Sequence, residues 1–219
     1  MNDLRASLDW VYANDTESAI AREYAQALYE TVRRYNPKTV IEVGLANGAS
    51  AVAIASALAS NGAGRLISID PNQREQWDSR GLEAVARSGL AQYHEWIEEP
   101  SYLALPGLLR SGVKADFAYI DGWHSFDYVL VDFFYVDKLL LPDGIVAFND
   151  TGFRSVDKVL RFARQYRKYT EIDVGLKRAY PGRNRVFALR RRLMGLQAQD
   201  RYFQKQCDWE PRWDFYAPF

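Results

Sequence analysis

The stretch TVIEVGLANGASAVAIASALAS, Thr39 to Ser60, decides the fold. Thr39–Val43 is a β-branched run bounded by a turn and reads as a strand, Gly44 and Gly48 punctuate the turn, and Ala49–Ser60 reads as a helix. Outward from it the same unit recurs. Leu66–Asp70, Gln92–Ile97, Asp116–Asp121 and Gly144–Asn149 are further short strands. Helical patterns separate or follow them at Ser79–Ser88, Tyr102–Leu109 (weakened by Pro106), Asp127–Leu141 and Ser155–Tyr169. In the last of these Val156, Val159, Leu160, Ala163 and Tyr166 share one face, and Arg154, Lys158, Arg161, Arg164 and Lys168 take the others, as in a helix lying on a core.

Five strand–helix alternations require crossover connections, so the sheet is expected to be mostly parallel and doubly wound, an α/β fold. After the fifth helix, Glu171–Leu176 and Arg185–Arg190 read as two strands around the Pro181-Gly182 turn, pairing antiparallel at one edge. That gives seven strands with an antiparallel last one. A further helix is expected over Glu17–Tyr35. One domain over residues 1–219 follows: a helical segment 1–36, a core 37–190 and a tail 191–219 that ends in the aromatic run Trp209–Phe219.

The chain has 219 residues, 28 Lys+Arg against 28 Asp+Glu, and 48% hydrophobic residues. A chain so rich in apolar side chains is not disordered, and zero net charge offers no bulk attraction to nucleic acid or acidic membranes. The zero is a cancellation: residues 152–192 carry 13 basic and 3 acidic side chains, leaving 15 basic and 25 acidic elsewhere. A local basic surface for an anionic substrate or an acidic partner face is therefore compatible with neutrality. Cys207 is the single cysteine, so no internal disulfide can form. MNDLRASLDW lacks the apolar core of a signal peptide, and the charge-free Val43–Gly64 is too broken by Asn47, Asn61 and glycines to span a membrane. A soluble cytoplasmic protein is expected.

In a doubly wound sheet, ligands sit outside the carboxyl ends of the central strands. Gly44 and Gly48 permit tight turns and close approach, and a helix starting near Asn47–Ser50 offers free N–H groups to an anion. Asp70, ending the second strand, can accept both hydroxyls of a ribose, so the pair describes an adenosine site. A dinucleotide loop wants G-x-G-x-x-G, whereas this one is G-x-x-x-G with Ala46 at the second glycine's place. Glu42, Gly44, Gly48 and Asp70 together resemble the S-adenosylmethionine site of class I methyltransferases. The resemblance implies their Rossmann-like fold and assigns Glu42, Gly44, Asn47, Gly48, Ser50, Asp70, Asp121 and, for the adenine, Ser101 to the cofactor.

Asp121-Gly122-Trp123-His124-Ser125-Phe126-Asp127, with Val129 and Asp132, is the most informative segment. Asp121 ends the fourth strand and His124 lies three residues on, so both can face the cofactor crevice. Asn149-Asp150 ends the fifth strand, and if that strand neighbours the fourth, the two clusters can converge on one hard cation. The segment resembles the D-G-x-H-x-[YF]-[ED] pattern of small-molecule O-methyltransferases, including macrolide-sugar methyltransferases, and more distantly the catechol O-methyltransferase group; the similarity spans roughly Glu17 to Arg190. It implies attack of a substrate hydroxyl on the sulfonium methyl group. Asp121, Asn149 and Asp150 would hold Mg²⁺, with His124 or Asp121 as proton acceptor. Asn149-Asp150 departs from the related Asp-Asp or Asp-Asn pattern. His94 is expected to be structural and Asp132 to brace the site.

Rival readings are weaker. An N-methyltransferase acting on RNA or another nucleic acid would commonly carry [DN]-P-P-[YFW] where Asp121-Gly122-Trp123-His124 stands, and a dehydrogenase lacks both its glycine signature and Y-x-x-x-K. A non-catalytic S-adenosylmethionine-binding protein has no need of His124 and Asp150. The aromatic tail is expected to strap onto its own body or onto a second subunit of a homo-oligomer, and the partner of the site is a small-molecule hydroxyl substrate.

Overall fold

The computed structural model describes residues 4–14, 18–180 and 184–219. Its elements in chain order are α1 (Leu4–Asn14), α2 (Arg22–Tyr35), β1 (Thr39–Val43), α3 (Ala49–Asn61), β2 (Arg65–Ile69), α4 (Arg80–Arg87), β3 (His94–Ile97), α5 (Ser101–Arg110), β4 (Ala115–Ile120), α6 (Phe126–Leu139), β5 (Leu140–Phe148), α7 (Arg154–Tyr166), β6 (Tyr169–Ile172), α8 (Arg185–Leu193) and β7 (Arg201–Lys205). The seven strands form one sheet in the order β3-β2-β1-β4-β5-β7-β6. All neighbours are parallel except β7, which runs antiparallel to both β5 and β6.

Strands buried on both faces need apolar side chains pointing both ways, which is why the central runs look continuous rather than alternating. Val40, Leu66, Phe117 and Ile145 face α1–α4. Ile41, Ile69, Ala118 and Phe148 face α5–α7. Ten successive residues of α3, Ala49–Leu58, are buried. Its many alanines let it sit between α2 and the sheet where bulkier residues would hold them apart. On the α3 side one register row crosses the sheet as Trp96, Ser68, Glu42, Tyr119, Ala147 and Tyr202. It carries polar groups through an otherwise apolar interior.

Two expectations about the C-terminal third are corrected. Arg185–Arg190 is not a strand but most of α8. Arg, Ala and Leu favour helix there, and Asn184 caps it, its Oδ1 accepting from the Phe187 backbone N–H at 2.9 Å. The second strand of the terminal antiparallel pair is Arg201–Lys205, so the sheet continues into what the sequence assigned to the tail. Tyr202 packs on one core and Phe203 on the other, and the flanking charges are neutralised locally. Arg201 donates to both carboxylate oxygens of Glu171, at 2.7 and 2.6 Å. Lys205 donates to the carbonyls of Asp137 and Leu140, at 2.6 and 2.8 Å. The Pro181-Gly182 turn and Glu17 lie outside the described residues. At the N-terminal side the structure has two helices, α1 and α2, where one was expected.

The tail does lie on its own body: Tyr166 exchanges hydrogen bonds with the carbonyl and N–H of Ala217, at 2.8 and 2.7 Å. Phe215 and Phe219 pack edge-on against the same ring. Among the described residues, no helix is long and apolar enough to cross a membrane.

Candidate active site

Both site clusters lie at the carboxyl ends of β1, β2, β4 and β5. Gly44 has φ +92°, and a Cβ there would stand 2.1 Å from the Asp121 carbonyl oxygen. Only glycine lets the β1 loop rest on the end of β4. Gly48, at φ +85°, likewise lets α3 start against Gly81, whose Cα would be 2.9 Å from an added Cβ. The glycines thus serve the packing of backbone on backbone as much as ligand approach. Asp70 staples the loop between them: its Oδ2 accepts from the N–H groups of Leu45 and Ala46, at 3.1 and 2.9 Å, and from Gln73 at 3.0 Å. Oδ1 accepts from Asn72 N–H at 2.8 Å and keeps further acceptor capacity. This staple holds Ala46 in the left-handed region, at φ +43°.

A cleft of about 420 Å³ opens over this loop. Of the residues expected at the cofactor, Gly44, Asp70, Ser101 and Asp121 line it, and Ala46, Trp77, Tyr102, Gly122, Trp123 and Tyr128 complete much of its wall. Glu42, Asn47, Gly48 and Ser50 stand behind the wall. Asn47 gives its amide to the Ser18 hydroxyl at 2.6 Å. Glu42 is wholly buried beneath the loop and accepts from Ser68 Oγ at 2.5 Å. Burial pushes its carboxyl up to about 7, against the opposing pull of hydrogen bonds from Ser50 and Ser68.

Beside the cleft, His124 Nε2 lies 3.3 Å from Asp121 Oδ1 and 3.5 Å from Asp150 Oδ2. These are the three residues that come together as a possible metal-ligand set. Burial pushes Asp121 up to about 6 even though His124 pulls it down. Burial alone would lower His124, but the hydrogen bond to Asp121 and the charges of Asp121 and Asp150 outweigh it and raise the imidazole above its ordinary value. Asp150 reaches the cluster from a left-handed turn, at φ +51°. The Phe153 ring stacks on His124 at 5.6 Å, and Ser155 Oγ donates to the His124 carbonyl at 2.6 Å, which fixes the loop that carries the histidine.

Asn149 stands at the same strand end, and its amide nitrogen is committed below it. Its Nδ2 turns inward and donates to Asp200 Oδ1 at 2.8 Å, while Tyr119 donates its hydroxyl to Asp200 Oδ2 at 2.9 Å. His124 lies with the two carboxylates, and the Asn149 amide nitrogen links the strand end to a buried network one layer below. Asp200 is 2% exposed, and burial drives its carboxyl well above the ordinary range. The sequence offered no sign of it, because it precedes a strand that the sequence placed in the tail. Asp132 is buried, hydrogen-bonded by Ser101, and pushed up to about 6 by burial. It lies behind the cleft wall as a brace between α5 and α6. His94 is half-buried on β3 and touches Ser68 rather than the cleft.

Comparisons with known proteins agree with this geometry. The family described as "Methyltransferase domain" matches residues 41–151, the span from β1 to the Asp150 turn. A caffeoyl-CoA O-methyltransferase-like protein of Arabidopsis thaliana is 30% identical over 173 residues, covering 76% of this chain and 72% of that protein. Among solved structures, the O-methyltransferase TomG of Streptomyces achromogenes with S-adenosylmethionine (SAM) superposes with a TM-score of 0.68 at 16% identity, over 94% of this chain and 91% of that one. An O-methyltransferase of Bacillus cereus with S-adenosylhomocysteine (SAH) gives 0.68 at 14%, over 93% and 90%. With a family model that runs from β1 to the acid cluster and an O-methyltransferase relative 30% identical over 72% of its own length, the chain belongs to the class I S-adenosylmethionine-dependent O-methyltransferases.

Proposed function

We propose that the protein transfers a methyl group from SAM to the hydroxyl of a small aromatic molecule, with the cofactor in the cleft over the β1 loop and the acceptor oxygen at the Asp121–His124–Asp150 cluster. The observation that carries it is that Asp121 belongs to both: it lines the cleft and bonds His124. Bound SAM supplies an electrophilic methyl group on sulfur and leaves as a neutral thioether. Asp70 Oδ1 accepts from the ribose, Ser101 sits at the adenine side, and Gly44 lets the amino-acid end approach the backbone. His124 accepts the hydroxyl proton, and Asp121, paired with its Nε2, orients the ring and stabilises the imidazolium.

The donor set of two carboxylates and one imidazole suits a divalent cation such as Mg²⁺ or Mn²⁺. Asp121 and Asp150 would hold it, and bound there it would act as a Lewis acid toward the acceptor oxygen. The tightness of the cluster favours a second reading, in which His124 is the third ligand and proton acceptance falls to Asp121. Exposed Trp123, Tyr102, Tyr128 and Phe153 around the mouth support a planar aromatic acceptor, in keeping with the name of the plant relative. The exposed thiol of Cys207 fits a reducing, cytoplasmic setting. The uncovered Val186, Leu189 and Leu193 of α8 support a homo-oligomer.

Incubation with methyl-labelled SAM and a panel of hydroxylated aromatics, sugars and polyketides, with Mg²⁺ and after EDTA treatment, tests all of this at once. Label on an aromatic ether oxygen, dependent on the cation, is the expected outcome. Label on nitrogen, or activity unchanged by EDTA, overturns the acceptor or the metal assignment respectively.

A further inference from the structure

Under the cofactor loop runs a chain of three side chains that the reaction described above does not use. Glu42 Oε2 accepts from Ser68 Oγ at 2.5 Å, and Ser68 Oγ lies 2.9 Å from His94 Nε2. The chain crosses three adjacent strands, from β1 in the middle of the sheet to β3 at its edge. Glu42 and Ser68 are fully buried, and His94 is half-buried. At this depth burial opposes the charged form of Glu42 while its serine hydrogen bonds favour it, so the carboxyl is poised between its two protonation states.

The groups facing this chain leave it few other outlets. From α3, Ser50 bonds Glu42; from the strand ends, the acids Asp70 and Asp121 oppose its ionisation. The register partner on β4 is Tyr119, whose hydroxyl is committed to Asp200. The charged neighbour of His94 is Glu95, and burial, the larger influence, lowers the imidazole to about 4, so it is neutral at physiological pH. A neutral His94 has two tautomers. With a proton on Nε2 it donates to Ser68, which donates to an ionised Glu42. With the proton on Nδ1 it accepts from Ser68, which then accepts from a protonated Glu42.

We propose that Ser68 and His94 are positioning residues for Glu42: through them the edge of the sheet sets where the Glu42 proton resides, and so how strongly the pocket prefers the cationic cofactor to the neutral product of methyl transfer. This rests on the assignment of the cleft to SAM. The physical basis is a charge difference of one between SAM and SAH at the sulfur. An ionised Glu42 beneath the loop attracts the sulfonium and gains nothing from the thioether. A protonated Glu42 distinguishes them far less. At an effective dielectric of about 20, two unit charges on the order of 10 Å apart interact strongly enough to change relative affinity roughly tenfold. Product release after transfer is then aided by proton uptake at Glu42, delivered along Ser68 when cofactor fills the cleft above.

The test is calorimetric titration of the apoenzyme with SAM and with SAH from about pH 5.5 to 8.5. The ratio of SAH to SAM dissociation constants is expected to fall roughly tenfold as the pH drops through about 7. Glu42→Gln should remove the part of the profile centred near 7 and leave only what Asp121, which also lines the cleft, contributes near 6. His94→Phe, which removes the donor to Ser68, should move the midpoint of the profile upward, and Ser68→Ala should move it further. A His94→Phe midpoint equal to that of the wild type overturns the role of His94. A wild-type ratio flat across the range, with both ligands bound, overturns the inference and leaves the cofactor assignment standing. Failure of both ligands to bind at any pH overturns both. Nitrogen NMR of the unmodified apoenzyme, which has two histidines, checks the chain without any substitution. The His94 ring signals should show an inflection near 7, reporting Glu42, well above the imidazole's own transition. No inflection there overturns the coupling.

Discussion

The two halves of the crevice are built differently. The cofactor half is made of backbone: Gly44 rests on the end of β4, Gly48 on Gly81, and Asp70 spends its carboxylate on the N–H groups of Leu45, Ala46 and Asn72. The acceptor half is made of side chains: His124 between Asp121 and Asp150, with Phe153 stacked on it and Asp200 below. A backbone site cannot be retuned without disturbing the fold, whereas a side-chain site can change its chemistry residue by residue. One cofactor and many acceptors are what that division permits.

Damage to the first half should therefore appear as lost folding and binding, and damage to the second as lost turnover. The largest effect is expected from Gly44→Ala. With a Cβ driven into the Asp121 carbonyl at a φ that L residues avoid, it should cost about 3 kcal/mol or more and abolish SAM binding, as thermal melts and calorimetry will show. Next comes His124→Ala, expected to lower kcat by about 10²–10⁴ while the SAM dissociation constant changes little. A large loss of SAM affinity in that variant would erase the distinction between the halves. Asp200→Ala should cost about 1–3 kcal/mol by stranding the Tyr119 hydroxyl and the Asn149 amide, measurable by denaturant unfolding.

A further effect, without any substitution, is expected in the pH dependence of stability. Glu42 is raised to about 7, and Asp121 and Asp132 to about 6, by burial. A carboxyl whose folded value exceeds its unfolded one, about 4, holds its proton more tightly in the native state. Its contribution is full below pH 4 and is lost as pH rises through the folded values. Melting temperature in EDTA should accordingly fall between about pH 4 and 7, and Glu42→Gln should flatten the upper part of that decline.

Much of the first half was legible in the sequence, because parallel strands buried on both faces leave unbroken apolar runs and their last residues mark the site. Asp70 and Asp121 were placed by that rule alone. The second half was legible only where ligands sit close in sequence, as Asp121 and His124 do. Asn149, beside Asp150, ties its amide nitrogen to Asp200, a partner 51 residues on that no sequence motif marks. The Arg201–Lys205 strand was hidden because its terminal charges read as surface. They are buried through partners 30 and more residues away, Glu171 for Arg201 and the carbonyls of Asp137 and Leu140 for Lys205. Helix α8 buries none of its residues, so no core face imposes a helical period on Arg185–Arg190 that the sequence could display.

The central claim is that Asp121 joins a SAM cleft to a proton-accepting, cation-binding cluster. Its most direct measurement is transfer of labelled methyl from SAM to hydroxylated aromatic acceptors by wild-type and His124→Ala protein, each with Mg²⁺ and with EDTA. The expected result is a labelled ether formed by the wild type with Mg²⁺, much reduced by EDTA and nearly lost in the variant at undiminished SAM binding. Equal turnover in all four conditions, or no labelled ether in any of them while SAM binds, would contradict it.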